Sequence, residues 1–237
     1  IFDEKNVTNK DSTNIEIGKK IEEKAPIVAL EHSAAKTASE NKSVPKSGDA
    51  ATGSAVPEIE QRAIFLEEPA SPNLEPVRFA GQVIWKLETY PSSVGGVSDT
   101  GARATITVKD IGLTADIVIR QNRDQDSANS HMIEVKFTTD LGSERGKVSD
   151  IGVPELRSEE SLRGAQLAGI PVPVTDNLFL IGMNALPVES QKNLELLRKM
   201  NWILLPIRLE NGKRSALLFE KGKTGNRVIE DTIQTWK

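Results

Sequence analysis

Two histidines and no cysteine limit the chemistry open to this 237-residue chain. Thiolate metal sites, cysteine nucleophiles, iron–sulfur clusters and disulfide frameworks are excluded, and two histidines cannot fill a three-histidine zinc site. His131 is the single histidine of the C-terminal portion. As a general base it would need a group to orient it and a nucleophile to serve. It falls instead on the apolar phase of an alternating run, directly after Ser130, and reads as a strand-end side chain with one nitrogen satisfied. His32 lies in a low-complexity stretch and carries no inference. Asn122–Asp126 (NRDQD) begins like a calcium loop, but Ala128 and Asn129 stand where that loop needs an oxygen ligand and a turning glycine. Asp124 and Asp126 therefore read as turn residues. Gly222-Lys223-Thr224 has the end of a phosphate-binding loop without its beginning, since Leu217 occupies the place of the first glycine. Thr224 reads as the N-cap of a helix starting near Gly225.

The acidic doublets Glu67-Glu68 and Glu159-Glu160 do not form a glycosidase pair by themselves, because strand neighbours point to opposite faces. No Gly-x-Ser-x-Gly nucleophile elbow occurs. Arg145, Lys147, Arg157 and Arg163 could meet an anionic partner, but Glu144, Glu155, Glu159 and Glu160 are interspersed among them, which describes a mixed-charge exposed segment. A net charge of −4 and a pI near 5.5 argue against coating nucleic acid, and no nucleic-acid partner is expected. No cofactor or metal is called for by any of these patterns.

The elements that must position these groups begin late in the chain. Residues 1–56 read as a flexible tether: Ser33–Ser54 is built of Ala, Ser, Lys, Gly and Thr, with too little to bury to offset the entropy of ordering it. Asn14–Lys24 has a weak amphipathic pattern through Ile15, Ile17 and Ile21, interrupted by Gly18. Residues 57–237 read as one globular domain. Val77–Thr89 alternates, with Phe79, Val83, Trp85 and Leu87 on one phase and Gly81 marking a bulge or close backbone approach. Arg103–Lys109, Leu113–Arg120 and His131–Thr138 alternate likewise, the first two joined by a tight Asp110-Ile111-Gly112 turn. Such runs joined by short turns make an antiparallel sheet with one wet face.

Leu141–Thr175 is long and rich in Gly, Pro and charge, a length usually reserved for functional or partly structured segments. A short helix over Pro154–Arg163 is expected, and Ile170–Val174 reads as an extended segment whose prolines Pro171 and Pro173 suit a sheet edge. Asn177–Met183 is a buried strand. Pro187 opens a helix over Val188–Met200. Trp202–Leu209 and Ser215–Glu220 flank Asn211-Gly212, a strong hairpin signal, and Pro206 places the first of these strands at an edge or bulge. A last helix runs from Gly225 to Trp236, with Val228, Ile229, Thr232, Ile233 and Trp236 on one face.

The succession RAIFLEEP, GQVIWKLE, IVIRQNRDQDSANSHMIEVKF, PVTDNLFLIGM, NLELLRKMNWILLPI and GKRSALLFEKGKTGNRVIEDTIQTW resembles a family of uncharacterised alphaproteobacterial proteins, over about Glu60–Trp236. The resemblance implies an extracytoplasmic, periplasmic domain of a membrane-tethered protein behind a variable linker. It carries no activity and no catalytic residues. The chain starts at Ile1 rather than Met, so an upstream signal peptide, membrane anchor or cytoplasmic domain is expected, and any membrane contact would be made through it.

The expected fold is α+β, mainly β: an antiparallel meander or sandwich with two helices in the C-terminal third. The expected function is a non-enzymatic interaction domain that binds a protein or an envelope polymer. Its candidate contact residues are Arg157, Arg163, Pro171, Pro173, Trp202 and Pro206. A glycan hydrolase or lyase using carboxylates brought together by folding, and a β-sandwich sensor of a small ligand, are the alternatives.

Overall fold

The computed structural model describes residues 60–69, 71, 73–91, 98–124, 126–139 and 145–236. The tether, its Asn14–Lys24 segment and His32 lie outside the described residues. In chain order the strands are β1 (Gln61–Glu67), β2 (Val77–Pro91), β3 (Ser98–Val108), β4 (Leu113–Gln121), β5 (Asn129–Thr139), β6 (Val148–Ile151), β7 (Glu155–Arg157), β8 (Ala165–Gln166), β9 (Gly169–Thr175), β10 (Leu178–Asn184), β11 (Trp202–Leu209) and β12 (Arg214–Glu220). Two helices, α1 (Pro187–Lys199) and α2 (Gly222–Thr235), complete the α+β, mainly β fold.

Every strand pairing is antiparallel, and the sheet runs β8-β7-β11-β12-β1-β2-β3-β4-β5-β10-β9, with β6 beside β7 along β11. The two ends of that path, β8 and β9, are joined in the chain by Leu167 and Ala168 alone. So short a link brings the ends together, and the sheet curls around one core. Ile117, Ile119 and Ile133 of β4 and β5 thereby face Ile203 and Leu205 of β11 and Phe219 of β12. Alternation puts these side chains inward on every strand. The space left between them is about 10 Å³, at the threshold for a single water. The interior is packed.

Two asparagines lock the curl. Asn193 of α1 is fully buried, and its amide binds the backbone of Ala168 at the seam: Oδ1 accepts from Ala168 N–H at 2.8 Å and Nδ2 donates to Ala168 C=O at 2.9 Å. Asn177, in the β9–β10 turn with φ 61°, accepts from Val148 N–H of β6 through Oδ1 at 2.8 Å, while its carbonyl accepts from Phe137 N–H of β5. The Asn193→Ala variant orphans a backbone N–H and leaves a cavity, so a loss of about 3 kcal/mol is expected in urea unfolding. A loss below about 1 kcal/mol would mean that α1 does not secure the seam.

The helices close one end of the curl. Pro187 takes the first position of α1, as its missing N–H allows. Gly225 of α2 lies against the Trp85 indole, where a Cβ would come within 2.8 Å of Nε1. At the far end Trp236 Nε1 donates to Thr100 C=O, and Gln121 Nε2 donates to Trp236 C=O.

Several expectations are corrected. Residues 154–163 form no helix: Leu156 pairs with Ile203 as part of β7, and bends follow. Helix α2 begins at Gly222, three residues early, and Thr224 sits inside its first turn. The first N–H of the helix is met from outside, Gly222 donating to Asn201 Oδ1 at 3.0 Å. Strand β11 is not an edge, for β12 covers one side and β6 and β7 share the other. Pro206 lies where β7 ends and β6 begins, a place where no N–H is needed, and its carbonyl accepts from Gly152 N–H. The Asn211-Gly212 hairpin forms as expected, with positive φ at Gly212 and the Gly212 N–H donating to Leu209 C=O: a type I turn with a glycine bulge.

Candidate interaction surface

Strand β9 (GIPVPVT) ends the sheet and carries no charge. Its alternation leaves Ile170, Val172 and Val174 at 70, 51 and 47% exposure. Ile170 and Val172 stand opposite Gly182 and Leu180, the outward positions of β10, and Val174 is the extra residue of a bulge. Beyond β10 the outward positions of β5 are Met132, Glu134 and Lys136. Glu134 pairs with Arg120 of β4 at 3.9 Å. The result is an aliphatic strip on the outer face, bordered by the Glu134–Arg120 pair.

The proposed contact residues separate on this frame. Pro171 and Pro173 lie on β9 itself. Arg157 is tied down, donating to Glu155 Oε1 at 2.8 Å and to Glu160 C=O at 3.3 Å. Arg163 is exposed nearby, and its charge helps lower the pKa of Glu155. Trp202 is buried, with the Arg62 guanidinium 4.9 Å above its ring. Glu160 in turn pairs with Arg62 of β1 and Arg78 of β2, so Trp202 lies beneath an ion-paired cover. Pro206 lines a shallow cleft of about 210 Å³ with Asp150, Gly152, Arg208 and Arg214. Arg214 there is held by Glu68 at 2.8 Å. Of the six, only Pro171 and Pro173 lie on the strand that carries the strip, and they occupy its other phase, opposite the buried Ile181 and Phe179. Sequence reasoning misses Ile170, Val172 and Val174 beside them, although the I-P-V-P-V alternation is their signal.

The titratable groups are committed to structure. Glu67 points inward between Arg145 at 2.6 Å and Lys213 at 2.8 Å. Burial pushes its carboxyl up, but those two cations bring it below the usual range. Hydrogen bonds from Arg103 and Tyr90 hold Glu88 low as well. Asp124 accepts from Asp126 N–H, the turn contact expected of it. His131 is buried, its ring 4.7 Å from that of Trp236 and its Nδ1 2.9 Å from Ser130 Oγ. Ser130 Oγ lies 3.1 Å from Asn184 C=O, to which it donates, and so accepts from His131 Nδ1–H. Burial lowers the imidazole pKa to about 4. Sequence reading missed Lys221 altogether: it is fully buried, with Nζ donating to the carbonyls of Leu197 and Arg198 at the end of α1. Its burial brings the ammonium pKa down to about 8. No group of His, Asp and Glu with metal-binding geometry occurs among the described residues.

Comparison of the chain with protein-family models, with curated proteins and with solved structures finds no match.

Proposed function

We propose that this is a non-enzymatic protein-binding module whose contact surface is the outer face of β9 and β10. The observation that carries the reading is the exposed Ile170–Val172–Val174 strip on the terminal strand. Aliphatic side chains at that exposure gain free energy by burial, roughly 25 cal/mol for each Å² removed from water. A protein surface of like character offers that burial. A glycan, whose hydroxyls need hydrogen bonds, does not. Four carboxylates are held in a way that does not suit hydrolysis. A glycosidase needs one carboxyl raised to act as an acid, and Glu67, Glu68, Glu88 and Glu155 are all lowered by cations or hydrogen bonds. The packed interior likewise favours binding at the outer surface over a small ligand held within. The setting that goes with this proposal is extracytoplasmic, on a tethered chain.

The test places a photo-crosslinking residue at Val172 in the full-length protein and, as a control, at Gln82 on the outer face of β2. One recurrent protein partner is expected from position 172, and Ile170→Lys should reduce its yield at least about tenfold with thermal unfolding unchanged. Equal capture from both positions, or capture of lipid alone, would end the proposal.

A further inference from the structure

We infer that Pro171 and Pro173 close the β9 edge to strand addition, so that a second copy of this chain, or any other strand, cannot extend the sheet there. The inference rests on the register of β9 and not on the docking proposed above. In an antiparallel ladder the hydrogen-bonded residues alternate with residues whose N–H and C=O point the other way. Val172 pairs with Leu180 and Ile170 with Gly182, while Pro171 and Pro173 face Ile181 and Phe179. Proline has no N–H. The bonds to β10 therefore fall on Ile170 and Val172, and the backbones of Pro171 and Pro173 are the ones turned toward the free edge. That edge offers two carbonyls with no donor between them.

In every other respect β9 is a template. It is extended, uncharged from Gly169 to Thr175, and aliphatic on its exposed face. Edges of that description recruit further strands. The strand at the other end of the sheet, β8, is limited to Ala165–Gln166 and offers little to pair with. A twofold antiparallel pairing of two β9 strands centred on Val172 would set residue 171 of one copy against residue 173 of the other. Each bond of that pairing needs an N–H at 171 or 173, and both positions lack it. A partner at this edge is left to the side chains, with donors of its own for the two carbonyls.

The experiment restores the donors. The Pro171→Val/Pro173→Val double variant of the full chain is expected to self-associate, with a dimerisation constant at least about tenfold tighter than the parent by sedimentation equilibrium. The chain has no cysteine, so Val172→Cys supplies a single thiol at the twofold centre. Under oxidation it should cross-link two copies in the double-variant background and not in the parent. A folded double variant that stays monomeric, or Val172→Cys dimers formed equally in both backgrounds, would overturn the inference. Should the double variant fail to fold, Pro171→Val alone restores half the donors and should show a smaller shift in the same direction. If that variant also unfolds, the prolines serve the fold itself and the inference falls. Self-association is read without any partner, so loss of partner capture in Ile170→Lys bears on the docking proposal alone.

Discussion

Acidification from pH 6.5 to pH 4 is expected to remove roughly 3 kcal/mol of stability through His131 alone. The unfolded chain takes up a proton at the ordinary imidazole pKa of 6.5, whereas the folded imidazole resists until about 4. The difference is therefore lost as pH falls through that window and changes no further below it. The physical cause is burial: the ring lies against Trp236, and its Nδ1–H is already committed to Ser130 Oγ. A second proton would go to the other nitrogen, away from water. The last turn of α2 should loosen first, since Trp236 is held by His131 together with Thr100 and Gln121. Glu67 and Glu88 also lose their cation pairing in acid, so wild type is to be compared with His131→Phe, which keeps the stacking and cannot be protonated. Urea unfolding at steps between pH 7 and 4 should give a steeper acid limb for wild type. Parallel limbs would show that His131 is not buried against Trp236 in solution.

Raising the pH from 8 to about 10.5 should have the opposite sign and a similar size. Lys221 releases its proton near 8 in the folded chain, against 10.5 when unfolded, so stability rises by roughly 3 kcal/mol across that interval. Below pH 8 the ammonium is charged in both states and its burial is a standing cost, offset in part by the carbonyls of Leu197 and Arg198 at the negative end of α1. Lys221→Met keeps the stem and removes the charge. Its unfolding free energy should be flat over the interval in which that of wild type climbs. The comparison also cancels Tyr90, whose hydroxyl is raised to about 12 by burial and Glu88, and which acts in the other direction. A variant that climbs in parallel with wild type would place the lysine in water.

Much of the fold follows from local pattern. The β2–β5 meander, the β11–β12 hairpin and both helices lie within a few residues of where alternation, Asn211-Gly212 and Pro187 put them. Gly81 faces Thr107 C=O so closely that a Cβ would come within 2.8 Å, as a glycine on the apolar phase of a strand suggests. The segment 141–175 was the least legible part. Its short strands β6, β7 and β8 have no periodicity long enough to register, and they exist because β11 and Asn177 supply their partners. Trp202 shows the same limit in reverse: its type suggested a contact residue, while its cover comes from Arg62, 140 positions earlier in the chain.

Residue types and short spacings were enough to read which chemistries the chain lacks the side chains for, the antiparallel character of the sheet, and the two prolines of an edge segment. These depend on residue type and on spacing over ten residues or so, and water reads them without help from the rest of the molecule. It took the tertiary structure to show that the sheet curls around one core with β8 and β9 as its unpaired ends, that Pro206 lies inside the sheet while Pro171 and Pro173 lie at its end, and that Lys221 and His131 are sealed from solvent. Burial, strand order and the direction of a free carbonyl are properties of who the neighbours are, and for this chain those neighbours are brought together only by folding.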